Sequence, residues 1–132
     1  MKKVVLFIML SVICPSALSV DLYCGKILES DRPSPHHLFR LNLEEKSGTH
    51  FISEHDAYGK LFNVKELPLR EMVVDDLWVK FVNDYTEKGA INRQLLQLWT
   101  DRLDFCEVIE DFESRLQKLR LEAANNTPER AF

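Results

Sequence analysis

The amino end constrains this chain more than any other stretch. Lys2 and Lys3 precede an unbroken apolar run from Val4 to Ile13, and Pro15, Ser16, Ala17, Leu18 and Ser19 follow. A basic start, an apolar stretch of about 10 residues and a small-x-small ending form the pattern of a secretory signal peptide. Ala17 and Ser19 fit the −3 and −1 positions, so residues 1–19 read as a leader cleaved before Val20. A membrane anchor needs about 20 apolar residues, and Pro15 interrupts this run. The fold is therefore expected to begin at Val20, in a periplasmic or secreted setting, with no membrane span after cleavage.

That setting decides the fate of the cysteines. Cys14 leaves with the leader, so Cys24 and Cys106 remain. In an oxidising compartment two such cysteines are expected to form a disulfide. No CxxC is present, so the pair reads as a structural staple and not as a redox centre.

Losing Lys2 and Lys3 takes the formal charge from −4 to −6. Net acidity argues against nucleic acid, which rewards clustered Lys and Arg through counterion release. It argues equally against docking on anionic lipid. A charged partner is expected to be basic.

Residues 20–132 read as one small domain. Residues 20–37 read as an irregular lead-in loop, with a short strand or turn around Leu22–Ile27, because "ESDRPSPHH" carries two prolines that fix φ and remove donors. In 38–67, Phe39, Leu41 and Leu43 alternate with polar neighbours, the period of a half-buried strand. "EKSG" reads as a turn with Gly48 at positive φ, Thr49–Ser53 as the returning strand, and "KLFNVKEL" as a third short strand after the "DAYGK" turn.

Beyond Pro68 the spacing points to helices. Leu69, Val73, Leu77 and Phe81 lie four apart, with Val74, Trp78, Val82 and Tyr85 widening the stripe, which predicts a helix over 69–88 ended by Gly89. Asn92 then suits an N-cap for a second helix over 92–124. Its apolar seam runs Leu96, Trp99, Leu103, Cys106, Ile109, Phe112, Leu116 and Leu119. Residues 125–132 read as a tail. The expected fold class is α+β, a hairpin or small antiparallel sheet packed on two C-terminal helices, with a mainly α bundle as the alternative.

Chemistry-bearing patterns are scarce. The four histidines, His36, His37, His50 and His55, lack metal-ligand spacing and read as surface groups able to sense acid. No G-x-S-x-G elbow frames Ser47, Ser53 or Ser114. Glu107 with Glu110 or Asp111 shares a face of the expected helix, but nothing suggests the cleft that acid–base work requires. No catalytic residue, metal site or cofactor is expected, and the protein reads as a non-enzyme.

The function expected is binding of another protein, basic or membrane-bound, as an inhibitor, immunity protein or accessory factor does. The residues to test are Trp78, Trp99 and the acidic stripe Asp104, Glu107 and Asp111, since Trp is enriched at binding hot spots. The alternatives are a small-molecule carrier or sensor, with Phe39, Phe51, Phe62 and Tyr58 around a pocket, and a helical homodimer paired through the Leu96–Leu119 seam.

Overall fold

The computed structural model describes residues 19–26 and 35–126. Residues 1–18 of the expected leader, the segment 27–34 and the expected tail from 127 lie outside the described residues, whereas Ser19, the last residue of that expected leader, opens the first strand.

Nine strands and one helix follow in order: β1 (Ser19–Lys26), β2 (His37–Asn42), β3 (Ser47–His55), β4 (Leu61–Pro68), β5 (Arg70–Val74), β6 (Trp78–Val82), β7 (Gly89–Asn92), β8 (Gln97–Trp99), β9 (Leu103–Val108) and α1 (Phe112–Asn126). This corrects the α+β expectation. No helix spans 69–88, and of the helix expected over 92–124 only the last part exists. The mainly α alternative fails with it. The physical reason is that an i, i+4 spacing is also a multiple of two. Four-residue spacing therefore does not select a helix, and here it runs across two short strands, with Leu77 in the turn between them; the Val-rich runs "MVV" and "LWVKFV" carry the β-branched and aromatic side chains that suit a pleated surface.

The strands form one sheet in the order β4-β3-β2-β1-β9-β8-β7-β6-β5, and every neighbouring pair is antiparallel. Eight antiparallel steps separate β4 from β5, so these two strands run the same way. They are also consecutive in the chain. They are thus two halves of one long strand bent at Leu69, the first half pairing with β3 and the second with β6. The Leu69 N–H donates to the Gly48 carbonyl at 3.0 Å as the last rung before the bend, and Glu71 absorbs the irregularity beyond it at φ 52°. The sheet is an up-and-down barrel, nearly closed, with the first and last described strands paired as β1 and β9.

Residues facing inward fill it. Leu22, Phe39, Val79, Phe81, Ile91 and Leu98 are all buried in one cluster. Phe39 of β2 and Phe81 of β6 meet across the barrel with ring centroids 5.6 Å apart. Gly89 sits opposite Phe81. A Cβ there would stand 2.4 Å from the Phe81 ring, so the missing side chain makes room for the aromatic one. Gly89 does not cap a helix.

Alternate residues of β1–β4 face outward and are covered by α1. Leu38 and Phe51 pack against Phe112 and Leu116, with Phe51 and Phe112 edge to face at 5.4 Å. Phe112, Leu116, Leu119 and Ala123 recur at spacings of three and four, which sets one helix face on the sheet. At its start Arg40 lies 4.1 Å over the Phe112 ring and also pairs with Glu113. At its end Asn126 Nδ2 donates to the Leu61 carbonyl at 3.1 Å.

The hairpin read from alternation is present as β2 and β3, with Phe39 opposite His50. Its left-handed turn residue is Lys46 at φ 53°, not Gly48.

Cys24 and Cys106 form a disulfide and are directly opposed on β1 and β9. The staple therefore joins the first strand to the last strand, not to a helix.

Candidate functional site

The barrel has two unlike ends. One carries the turns 43–46, 75–77 and 93–96, together with the beginning of β1 and the close of β9. The other carries the loops 56–60, 83–88 and 100–102.

The first end opens as an apolar mouth of about 190 Å³, lined by Val20, Leu22, Leu41, Val79, Ile91 and Val108 with Arg93 beside them. Beneath it lie the buried side chains of Phe39, Phe81 and Leu98.

The second end is closed by a buried polar chain. His37 and His50 have no exposed surface, and Asn83 and Asp104 are buried with them. Inward alternation on β2, β3 and β9 puts His37, His50 and Asp104 there. Asn83 Oδ1 accepts from the N–H groups of Tyr85 and Thr86, both at 3.0 Å. Its Nδ2 therefore donates to His50 Nδ1 at 3.0 Å. His50 Nε2–H in turn donates to His37 Nδ1 at 2.8 Å, and His37 Nε2–H faces Asp104 Oδ2 at 3.6 Å. One amide orientation thus fixes both imidazoles as neutral tautomers. Phe39 stacks on His50 at 4.2 Å, and Tyr85 stands edge-on to both rings.

Burial is the main reason both imidazoles resist protonation. It pushes His37 down to about 3, with Arg102 and His36 adding to the effect and Asp101 opposing it. It pushes His50 down to about 2, with His37 contributing. The surface reading of these two histidines is corrected: strand alternation turns them inward while it turns His36 outward.

His36 lines a polar groove of about 510 Å³ between the sheet and α1, with Tyr23, Arg115, Lys118 and Glu122 among the other walls. The Tyr23 hydroxyl bonds His36 Nδ1. Next to it, His55 Nδ1–H donates to the Gly59 carbonyl at 3.2 Å, and the Ser53 hydroxyl donates to His55 Nε2 at 2.9 Å. Ser53 also accepts the His36 N–H and is buried. This serine fastens β2 to β3, an arrangement sequence spacing did not reveal.

The stripe expected along one helix is dispersed. Asp104 is inside the barrel, while Glu107 and Asp111 are exposed and both engage Arg115, at 3.3 and 2.9 Å. Among the described residues no group of three or more His, Cys, Asp or Glu is placed to hold a metal ion. Of the aromatic residues suggested for a pocket, Phe39 is core, Phe51 lies under α1, and Phe62 and Tyr58 are exposed.

The two tryptophans are brought onto one surface. Register aligns Val73, Lys80, Ala90, Trp99 and Leu103 in one outward row across β5–β9, and Trp78, Asn92, Gln97 and Phe105 in the next. The inward residues between them, Val79, Ile91, Leu98 and Asp104, are buried. Helix α1 covers only the wall made by β1–β4, so this second wall faces solvent. Val73 is 56% exposed and Trp99 42%. Comparison with known families, curated proteins and solved structures returns no match for this chain.

Proposed function

We propose that this chain is an exported, non-enzymatic module that binds another protein through the uncovered wall of β5–β9. The supporting observation is that wall itself: two tryptophans, Phe105, Leu103 and Val73 on the half of the barrel that α1 leaves bare. Large aromatic side chains on a rigid sheet lose little conformational freedom on binding, and Trp is enriched among residues that dominate interface energy. Lys80 is the one formal charge in the two rows. The surface therefore favours an apolar patch on the partner over a strongly basic one.

Volume and lining together weigh against the carrier reading: ligand pockets usually span about 300–1,000 Å³, the apolar mouth offers about 190 Å³, and the groove of about 510 Å³ beside α1 is walled by charged side chains and not by the aromatic residues expected around a pocket. The helical-dimer reading loses its seam, since Leu96–Cys106 lie in turns and strands. The leader and the disulfide support export.

The test is capture from the native envelope by the oxidised mature domain, repeated with Trp78→Ala and Trp99→Ala. The wild-type domain should retain a discrete partner. Each substitution should weaken that complex about 10- to 30-fold, the size of a hot-spot loss, with only a small change in melting temperature. Equal capture by wild type and both variants would remove the wall from the interface. Sedimentation of the pure domain separates a second copy from a foreign partner.

A further inference from the structure

We propose that the buried chain Asn83–His50–His37–Asp104 is an acid-operated lock on the β6–β7 loop, residues 83–88, and that Asn83 is the residue through which a proton releases it.

The geometry allows a proton to enter at a single cost. In the resting chain both inner links pair a donor with an acceptor, Asn83 Nδ2 to His50 Nδ1 and His50 Nε2 to His37 Nδ1, while His37 Nε2 stands off Asp104 at 3.6 Å. A proton added at His50 Nδ1 sets an N–H against the Asn83 amide N–H. If the proton is added at His37 Nδ1, it opposes the N–H of His50 Nε2. The pair can relieve that second conflict by reversing the His50 tautomer. His37 then becomes imidazolium beside Asp104, but His50 Nδ1 now carries hydrogen and faces Asn83 again. Both routes end at the same amide. Asn83 can accommodate a donor only by turning its oxygen toward His50, and that oxygen is what holds the N–H groups of Tyr85 and Thr86. Turning it places the Asn83 NH₂ against those two N–H donors. Two half-buried donors left without acceptors favour opening of the loop.

The surrounding charges are set around this event. Asp104 from β9 lies beside His37 Nε2 at 3.6 Å and also meets Arg102 Nε at 3.9 Å. Asp101, in the turn before β9, favours a proton on His37, while Arg102 and the neighbouring His36 oppose it. Tyr85 from the loop covers both rings, so loop opening also admits water to the pair. In the open form the imidazoles return toward their ordinary value near 6.5. Neutral histidine is thus favoured by the closed form and protonation by the open one. Closure is complete above about pH 6.5 and weakens as pH falls below it.

The experiment is residue-resolved hydrogen exchange on the mature, oxidised protein from pH 7 to 4.5, corrected for intrinsic rates, with ¹⁵N spectra of the imidazoles. The Tyr85 and Thr86 amides should lose protection about tenfold per pH unit below 6.5 for each proton taken up, about 100-fold at pH 4.5 for one proton and about 10,000-fold for two. Amides of β1 and β9 also weaken as global stability falls with pH, but they should remain better protected than Tyr85 and Thr86 at every pH. Unchanged protection at Tyr85 and Thr86 would overturn the lock, as would exchange of these two amides at the same protection as β1 and β9 throughout, which signals global unfolding instead. Asn83→Asp supplies the second arm. A carboxylate keeps an oxygen on the loop N–H groups and offers another to a protonated His50 Nδ1, so Tyr85 and Thr86 should stay protected at pH 5. If this variant opens with the wild-type pH profile, the coupling does not pass through residue 83. If it fails to fold, the wild-type profile decides alone. None of these readouts depends on a binding partner.

Discussion

Reduction of the Cys24–Cys106 disulfide is expected to lower the free energy of unfolding by about 4–5 kcal/mol. The bridge spans 82 residues of sequence, and the chain-entropy account of a loop of that size gives about 4.5 kcal/mol at 25 °C. Small domains are stable by about 5–15 kcal/mol in total, so this one bond is comparable with the whole margin. Its position raises the stakes. β1 and β9 are the first and last strands, and their pairing is the step that rolls the sheet up. Without the covalent link, bringing these distant strands together costs loop entropy before any contact rewards it. Urea unfolding of oxidised and reduced protein measures the effect. Reduction is the cleaner comparison, because Cys24 is fully buried and replacing it by Ala would add a cavity. Coincident midpoints would show that the bridge is ornamental to the folded state.

Phe39→Ala is expected to cost about 3–5 kcal/mol, the range for removing a fully buried aromatic ring. Phe39 contacts His50 at 4.2 Å, Phe81 at 5.6 Å and His37 at 6.3 Å between ring centres. The ring is both packing and the dry cover on the histidine pair. A second effect follows, with a defined sign. In the intact fold both histidines are held well below 6.5, near 3 and near 2. The unfolded chain then binds more protons than the folded one across acid pH. Stability is fully present above 6.5 and falls as pH drops from there toward 3, by up to about 1.4 kcal/mol per pH unit for each histidine. A hydrated cavity in place of Phe39 lets the folded pair rise back toward 6.5, which shrinks the difference in bound protons. The variant should be less stable than wild type at pH 7 and should lose less between pH 7 and 5. Denaturant titrations at both pH values test the two effects separately. Parallel pH profiles would show that Phe39 does not keep the pair dry.

The parts legible in the sequence are those whose pattern admits one period. Phe39, Leu41 and Leu43 alternate strictly, and β2–β3 form there. Phe112, Leu116, Leu119 and Ala123 fit only a helix, and α1 forms there, as the last part of a much longer expected one. The cysteine pairing was legible from composition and leader alone. The region 69–108 was not, because its four-residue spacings suit both periods. A different signal marked it. Asp75, Asn83, Asn92 and Thr100 recur every eight or nine residues. Each takes a backbone N–H two or three residues on: Asp75 from Leu77 and Trp78, Asn83 from Tyr85 and Thr86, Asn92 from Gln94 and Leu95, and Thr100 from Arg102. Short polar side chains at that interval are turn markers between short strands. Asn92 shows the ambiguity in miniature, since the same hydrogen bond that caps a helix closes a hairpin. The site was hidden for the same reason. Helical spacing put Asp104 on a surface with Glu107, and strand alternation sent it inside to His37.

The bend at Leu69 also governs how copies of this chain meet. Among the described strands, only β4 and β5 have a flank without a ladder, and both flanks lie at that one corner. They are short, eight and five residues. Lys65, Pro68, Arg70 and Glu71 line them, and a register shift breaks the second. Charge, proline and a bulge are the features that stop foreign strands from annealing to a sheet. At this corner of the described sheet those features disfavour edge-to-edge growth between copies.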